Sequence, residues 1–148
     1  LEIYCDGGCR GNQSDANLGG WGVYLVWGEH ERELYGGERD TTNNKMELTA
    51  AIEGLRAIRN KTVPTDVYLD SAYVLNGITS WIDGWRQKGW VNSKKQPVAN
   101  KELWLALDEE RHKFADISFH KVKGHADNAG NIRADELANR AMDELEAG

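Results

Sequence analysis

Cysteine is scarce in this chain, and long apolar runs are missing altogether. The two thiols, Cys5 and Cys9, are too few for a disulfide framework or a four-ligand zinc site, and they read as reduced packing residues. No stretch approaches the ~20 consecutive apolar residues that span a bilayer, and the opening Leu1-Glu2-Ile3 has no basic start followed by an apolar run. A cytoplasmic protein is therefore expected. Net positive charge is also lacking. The formal charge is −6 at pH 7, which taken as a total argues against binding a phosphate backbone. There is no internal repeat, low-complexity tract or interdomain linker.

What is present points to one ordinary folded unit over residues 1–148, because a second core would leave each half marginal. Apolar residues make up 40% and charged residues 28%, the balance of a soluble globular domain with a sizeable core. The charge is unevenly spread. Residues 84–101 contain Arg86, Lys88, Lys94, Lys95 and Lys101 without a single acid, which leaves the remainder strongly acidic. A basic patch on an acidic body suits a polyanion bound beside a carboxylate-lined ion site.

Hydrophobic periodicity predicts the elements. Leu1 to Cys5, Trp21 to Trp27 and about Glu31 to Gly36 read as strands, the last two forming a hairpin about Gly28-Glu29-His30. From Asn44 the period changes, with Leu48, Ala51, Ile52, Leu55 and Ile58 on one helical face and Asn43 or Asn44 as the N-cap. Asp66 to Leu69 reads as a buried strand, Ser71 to Trp85 as helix with a break near Gly77, the segment after Asn100 as helix, and Ile117 to Val122 as a fifth strand. Ala134, Leu137, Ala138, Ala141, Met142 and Leu145 mark the last helix. Residues 11–20 and 122–131 read as loops. A meander followed by alternating strand and helix predicts an α/β fold, one five-stranded mixed sheet with helices packed on both faces.

Four acids stand out from this pattern. Asp6 and Asp70 each end a short apolar strand, where ligands gather in open α/β sheets. Glu47 lies in the first turn of its helix at the edge of the apolar stripe, and Asp135 repeats that placement beside Ala134, Leu137 and Ala138. Taken singly, each is equally at home as a turn or cap residue or as an acid at the positive end of a helix.

The words around these acids are more specific. Asp6-Gly7-Gly8-Cys9-Arg10-Gly11-Asn12, Thr41-Thr42-Asn43-Asn44-Lys45-Met46-Glu47-Leu48, Leu69-Asp70-Ser71-Ala72-Tyr73-Val74, Lys123-Gly124-His125-Ala126 and Asp135-Glu136-Leu137-Ala138 closely resemble type 1 ribonuclease H. They occur in that family's order and span almost the whole chain. The resemblance implies a ribonuclease H-like fold and an enzyme that hydrolyses the RNA strand of RNA/DNA hybrids, leaving 5′-phosphate and 3′-hydroxyl ends. It implies that Asp6, Glu47, Asp70 and Asp135 hold two Mg²⁺ ions, with Mn²⁺ as a substitute, roughly 3.5–4 Å apart across the scissile phosphate. Four converging carboxylates raise one another's pKa unless cations compensate them. His125 corresponds to a residue that assists proton transfer or product release.

The resemblance also implies a substrate path. Residues at about 81–101 resemble the family's basic, Trp-rich protrusion, which brings Arg86 and Lys88 to the hybrid. Trp85 and Tyr73 match positions along the DNA strand's sugars. Thr42, Asn43 and Asn100 match a pocket for a DNA-strand phosphate, and Asn12 and Asn44 match residues that reach the minor groove, where 2′-hydroxyls line one strand only. Trp81 and Trp104 read instead as the small core of the protrusion. The chain departs from the family at Asp40, where a basic residue is common, at Ala72 and Gly8, and in a longer 13–18 loop. A monomer is expected. Integrases, transposases and resolvases share a similar sheet but generally lack the Trp-rich protrusion and the Lys-Gly-His-Ala word. A hybrid-binding module without catalysis would have no need to keep all four acids.

Overall fold

The computed structural model of the protein describes residues 1–11, 17–122 and 128–148. Five strands form one sheet in the order β3-β2-β1-β4-β5: β1 (Glu2–Arg10), β2 (Leu18–Trp27), β3 (His30–Arg39), β4 (Thr65–Leu69) and β5 (Ile117–Lys121). β1 pairs antiparallel with β2 and parallel with β4, so the sheet is mixed and β1 is its middle strand. Alternation along β1 sends Ile3 and Cys5 to one face and Tyr4 and Asp6 to the other, as a period of two requires. Among the described residues, no helix is long and apolar enough to cross a membrane.

The first face carries the main core. α1 (Asn43–Arg56) lays Leu48, Ala51 and Leu55 there against Ile3, Cys5, Val23 and Val67. α4 (Lys101–Arg111) lies beside α1, and the Arg56 guanidinium meets the buried Glu110 carboxylate at 3.4 Å. The opposite face is covered by α5 (Ala129–Ala147), whose buried Ala134, Leu137, Ala138, Ala141 and Met142 rest on β1, β2 and β3. Between β4 and α4 the chain runs through α2 (Ala72–Asn76), a π turn (Gly77–Trp81) and α3 (Ile82–Gln87). The predicted break near Gly77 is this π turn, a geometry that favours functional regions.

Two expectations need correction. The α1 N-cap is Thr42, whose hydroxyl accepts from the Lys45 N–H at 3.1 Å, and Asn43 and Asn44 are the first helical residues. A hydroxyl in extended backbone satisfies an orphan helix N–H as well as an amide does. The strand β2 begins at Leu18, so part of the expected 11–20 loop is sheet, with Leu18, Gly19 and Gly20 pairing with Arg10, Cys9 and Gly8. The glycines there signal close packing of helices against the sheet, which a glycine cluster does not distinguish from a turn in sequence.

Candidate active site

Two glycines bring the helices close enough to β1 for their acids to meet Asp6. Gly7 leaves no room for a side chain, because a Cβ there would stand 2.5 Å from the Met46 carbonyl carbon and 2.6 Å from the Glu47 nitrogen. The first turn of α1 therefore sits directly on β1, and Glu47 reaches Asp6, which lies in mid-strand and not at the strand end expected from sequence, because pairing with β2 carries β1 on to Arg10. On the other face Gly22, the register partner of Asp6, does the same for α5, since a Cβ would overlap the Ala134 carbonyl. Asp135, the next residue, is thereby lowered toward Asp6. Asp70 follows Leu69, the partner of Cys5 in the parallel pair, and so lies abreast of Asp6.

Electrostatics record the convergence. Asp6 is 5% exposed, and burial, with Asp135 and then Asp70 beside it, pushes its carboxyl up to about 7, against a partial offset from the Gly7 N–H, which donates at 2.9 Å. Glu47 is pushed up to about 9 by burial and by the neighbouring Asp6 and Asp70 carboxylates. Burial also raises the Cys5 thiol beneath them, with Glu47 and Asp6 as the nearby charges. Thus all four predicted acids come together at one corner. Among the described residues no three His, Cys, Asp or Glu side chains stand in the arrangement of a metal site, so the fit rests on the chemistry of the donors. The donor set suits hard divalent ions: carboxylate oxygens, with Asp6 and Glu47 raised chiefly by burial and by neighbouring carboxylates, and with Asp135 exposed at the edge of the corner.

Contacts outside the acids hold this corner in place. Arg10, at the end of β1, donates to Asp143 at 2.7 Å, Glu146 at 3.2 Å and the Asn139 side chain at 3.0 Å, fastening α5 to the strand that bears Asp6. Asn17 grips the residue before the α1 cap from both sides, with its amide donating to the Thr41 carbonyl and its oxygen accepting from the Thr41 N–H, each at 2.9 Å. Sequence reasoning missed Asn17, because it stood in a presumed loop and no motif marks it.

The predicted substrate residues fall into two groups. Thr42, Asn43 and Asn44 are exposed at the start of α1, and Asn100 precedes α4 in a left-handed conformation (φ 60°). Lys45, Asn100 and Lys101 share a cleft of about 590 Å³ between those two helix starts. Tyr73, Trp81, Trp85, Trp90 and Trp104 form a continuous ring cluster with centroids 5.3–6.1 Å apart. Trp104 is fully buried as expected, but Trp81 is 40% exposed and covers the cluster from outside, a correction to its reading as core. Lys88 is exposed where α3 ends. Arg86 is committed elsewhere: it donates to both Asp108 oxygens at 2.8 and 3.0 Å and to Asp83 at 3.2 Å, which ties α3 to α4. Its charge is largely compensated within the protein. Asn12 and His125 lie outside the described residues.

Comparison with known proteins agrees with this architecture. The sequence matches the family described as RNase H over residues 1–143. It is 52% identical over 149 residues to the Ribonuclease H of Halorhodospira halophila, covering 99% of this chain and 95% of that one. To the Ribonuclease H of Saccharopolyspora erythraea it is 51% identical over 144 residues, covering 97% and 91%. Among solved structures it resembles LC9-RNase H1, described as a type 1 RNase H with the type 2 active-site motif, with TM-score 0.82, 31% identity and coverage of 97% and 72%. The fold is shared by LC11-RNase H1, solved with an RNA/DNA hybrid, at TM-score 0.71 and 24% identity over 98% of each chain. With a family match over nearly its full length and relatives at half identity, the chain belongs to the RNase H family.

Proposed function

We propose that this enzyme cuts the RNA strand of RNA/DNA hybrids by hydrolysis at a two-cation site formed by Asp6, Glu47, Asp70 and Asp135, leaving 5′-phosphate and 3′-hydroxyl ends. The observation that carries the reading is the convergence of Glu47, Asp70 and Asp135 on the buried Asp6. Bound Mg²⁺, or Mn²⁺ in its place, would supply Lewis-acid stabilisation of charge at the scissile phosphate and a more acidic water. The chain's own residues do the rest. Asp6, from the middle strand, would serve both ions, Glu47 and Asp70 would hold the one on the leaving-group side, and Asp135 the one on the nucleophile side. His125 would assist proton transfer or product release, a role suited to an imidazole.

Thr42 and Asn43, at the start of α1, and Asn100, in the cleft wall, would offer hydroxyl, amide and backbone N–H donors to a DNA-strand phosphate. Asn12 and Asn44 approach the minor groove, where 2′-hydroxyls distinguish the RNA strand without reading sequence. Tyr73 and Trp85 line the DNA strand, and Lys88 with its lysine neighbours draws the duplex to residues 81–101. Arg86 contributes by bracing that protrusion through Asp108. One chain supplies all four acids, so the enzyme acts as a monomer, and the free thiols of Cys5 and Cys9 suit the cytoplasm.

A hybrid labelled on its RNA strand, incubated with Mg²⁺ and analysed for end groups, tests this. RNA fragments bearing 3′-hydroxyls are expected, with no cutting of duplex DNA or duplex RNA and none in excess chelator. Cutting that survives the chelator, or products ending in 3′-phosphate, would contradict the reading.

A further inference from the structure

Tyr73 is held by a residue that lies beneath the surface. The indole N–H of Trp104 donates to the Tyr73 hydroxyl at 3.1 Å, and the Asn100 side-chain amide donates to the same oxygen at 3.2 Å. An indole nitrogen can only donate, so the hydroxyl oxygen is an acceptor here by necessity. With both lone pairs engaged, the hydroxyl hydrogen is left to donate outward, and Tyr73 is half-buried at the edge of the ring cluster. Such a hydrogen is matched to an acceptor oxygen, and a nucleic-acid strand presents phosphate and sugar oxygens.

Trp104 is itself immobilised. It is fully buried, and a Cβ on Gly77 would overlap its ring, so the π turn closes down on the indole without a gap. Its ring touches Tyr73 at 5.3 Å between centroids and Trp85 at 5.3 Å edge-on, so one buried side chain supports both aromatic residues assigned above to the DNA strand.

We propose that Trp104 is a positioning residue for hybrid binding: its indole N–H orients the Tyr73 hydroxyl so that Tyr73 donates to an oxygen of the bound DNA strand. The inference rests on the hybrid-cleavage reading and specifies how one of its contacts is preset. The contact is made to substrate before and during reaction alike, so its loss raises KM and leaves kcat unchanged.

Three proteins test it beside the wild type: Tyr73→Phe, the chain carrying benzothienylalanine at position 104, and the combination. Benzothienylalanine keeps the shape of tryptophan and replaces the N–H by sulfur, so packing against Gly77 is retained; thermal melting verifies the fold. Each single change should raise KM for a hybrid by about 3- to 10-fold, the range of one hydrogen bond, with kcat and the Mg²⁺ concentration for half activity unaltered. The combination should be no worse than Tyr73→Phe alone, because both changes remove one contact. In the free protein, Tyr73→Phe should also move the NMR resonance of the Trp104 indole N–H. Unchanged KM with benzothienylalanine, or effects that multiply, would overturn the proposal while leaving hybrid cleavage intact. A wild type that neither binds nor cuts hybrid would remove both.

Discussion

Two acids near opposite ends of α1, Glu110 buried and Glu47 half-buried, meet opposite fates. Glu110, on α4 beside the end of α1, is 6% exposed, yet burial is outweighed by Lys113 at 3.1 Å and Arg56 at 3.4 Å, and its carboxyl is held below the ordinary value. Glu47, in the first turn of α1, is desolvated among Asp6 and Asp70, and its carboxyl is driven up to about 9. The fold thus neutralises Glu110 with its own cations, whereas the causes that dominate at Glu47 are burial and neighbouring carboxylates. Acids gathered in this way suit a neutralising partner that comes from outside.

The comparison breaks most severely if an acid of the corner is neutralised. Asp6→Asn should lower hybrid cleavage by about 1,000-fold or more, on the scale of ~4 kcal/mol for a group acting directly on the developing charge. The same change should raise the melting temperature of the metal-free protein, because one of the repelling charges is gone. Near-normal cleavage, or a lower metal-free melting temperature, would show that the corner is not the strained, functional site.

Glu110→Gln should do the reverse. It should destabilise the fold by about 1–3 kcal/mol in denaturant unfolding, the range of a hydrogen bond to a charged group, and leave kcat and KM intact. A loss of activity at unchanged stability would erase the distinction between the two acids.

A smaller effect is expected from ions. On the proposed reading, Mg²⁺ or Mn²⁺ would bind the folded corner and not the unfolded chain, so it should raise the melting temperature of the wild type by a few degrees and that of Asp6→Asn by less. Equal shifts would locate the ions elsewhere. The smallest effect concerns pH. Because the folded pKa of Glu110 is depressed, its stabilisation is fully present above the unfolded value and is lost as pH falls through the folded one. The stability difference between wild type and Glu110→Gln should therefore be constant at neutral pH and shrink as pH drops below the ordinary glutamate range. A gap that widens with acid would reverse the assignment.

How much of this was legible in sequence depends on the range of the interaction. The five strands, the α1 face of Leu48, Ala51, Ile52 and Leu55, and the α5 stripe are local periodicities, and all appear in the structure. The four acids were legible through their surrounding words, since nothing in the spacing of Asp6, Glu47, Asp70 and Asp135 says that they meet. What escaped depends on pairs far apart in the chain. Gly7 under Glu47 and Gly22 under Asp135 are close-approach glycines that no local pattern marks as such, and the Asn17–Thr41 pair joins a strand start to a helix cap across 24 positions. Arg86 looked like a phosphate ligand because Asp108, its partner, lies 22 residues on. Trp81 and Trp104 carry the same side chain, and the seating of Gly77 on the Trp104 ring, which seals that one while Trp81 at the end of the same π turn stays exposed, is a long-range contact.

The central claim is that the corner is a carboxylate site completed by divalent cations. The most direct measurement is titration of the protein with Mg²⁺ while the side-chain carboxyl carbons of every Asp and Glu are followed by ¹³C NMR. The account predicts saturable shifts confined to Asp6, Glu47, Asp70 and Asp135, with Glu110 unmoved. Shifts spread over the exposed acids, or a silent Asp6 and Glu47, would contradict it.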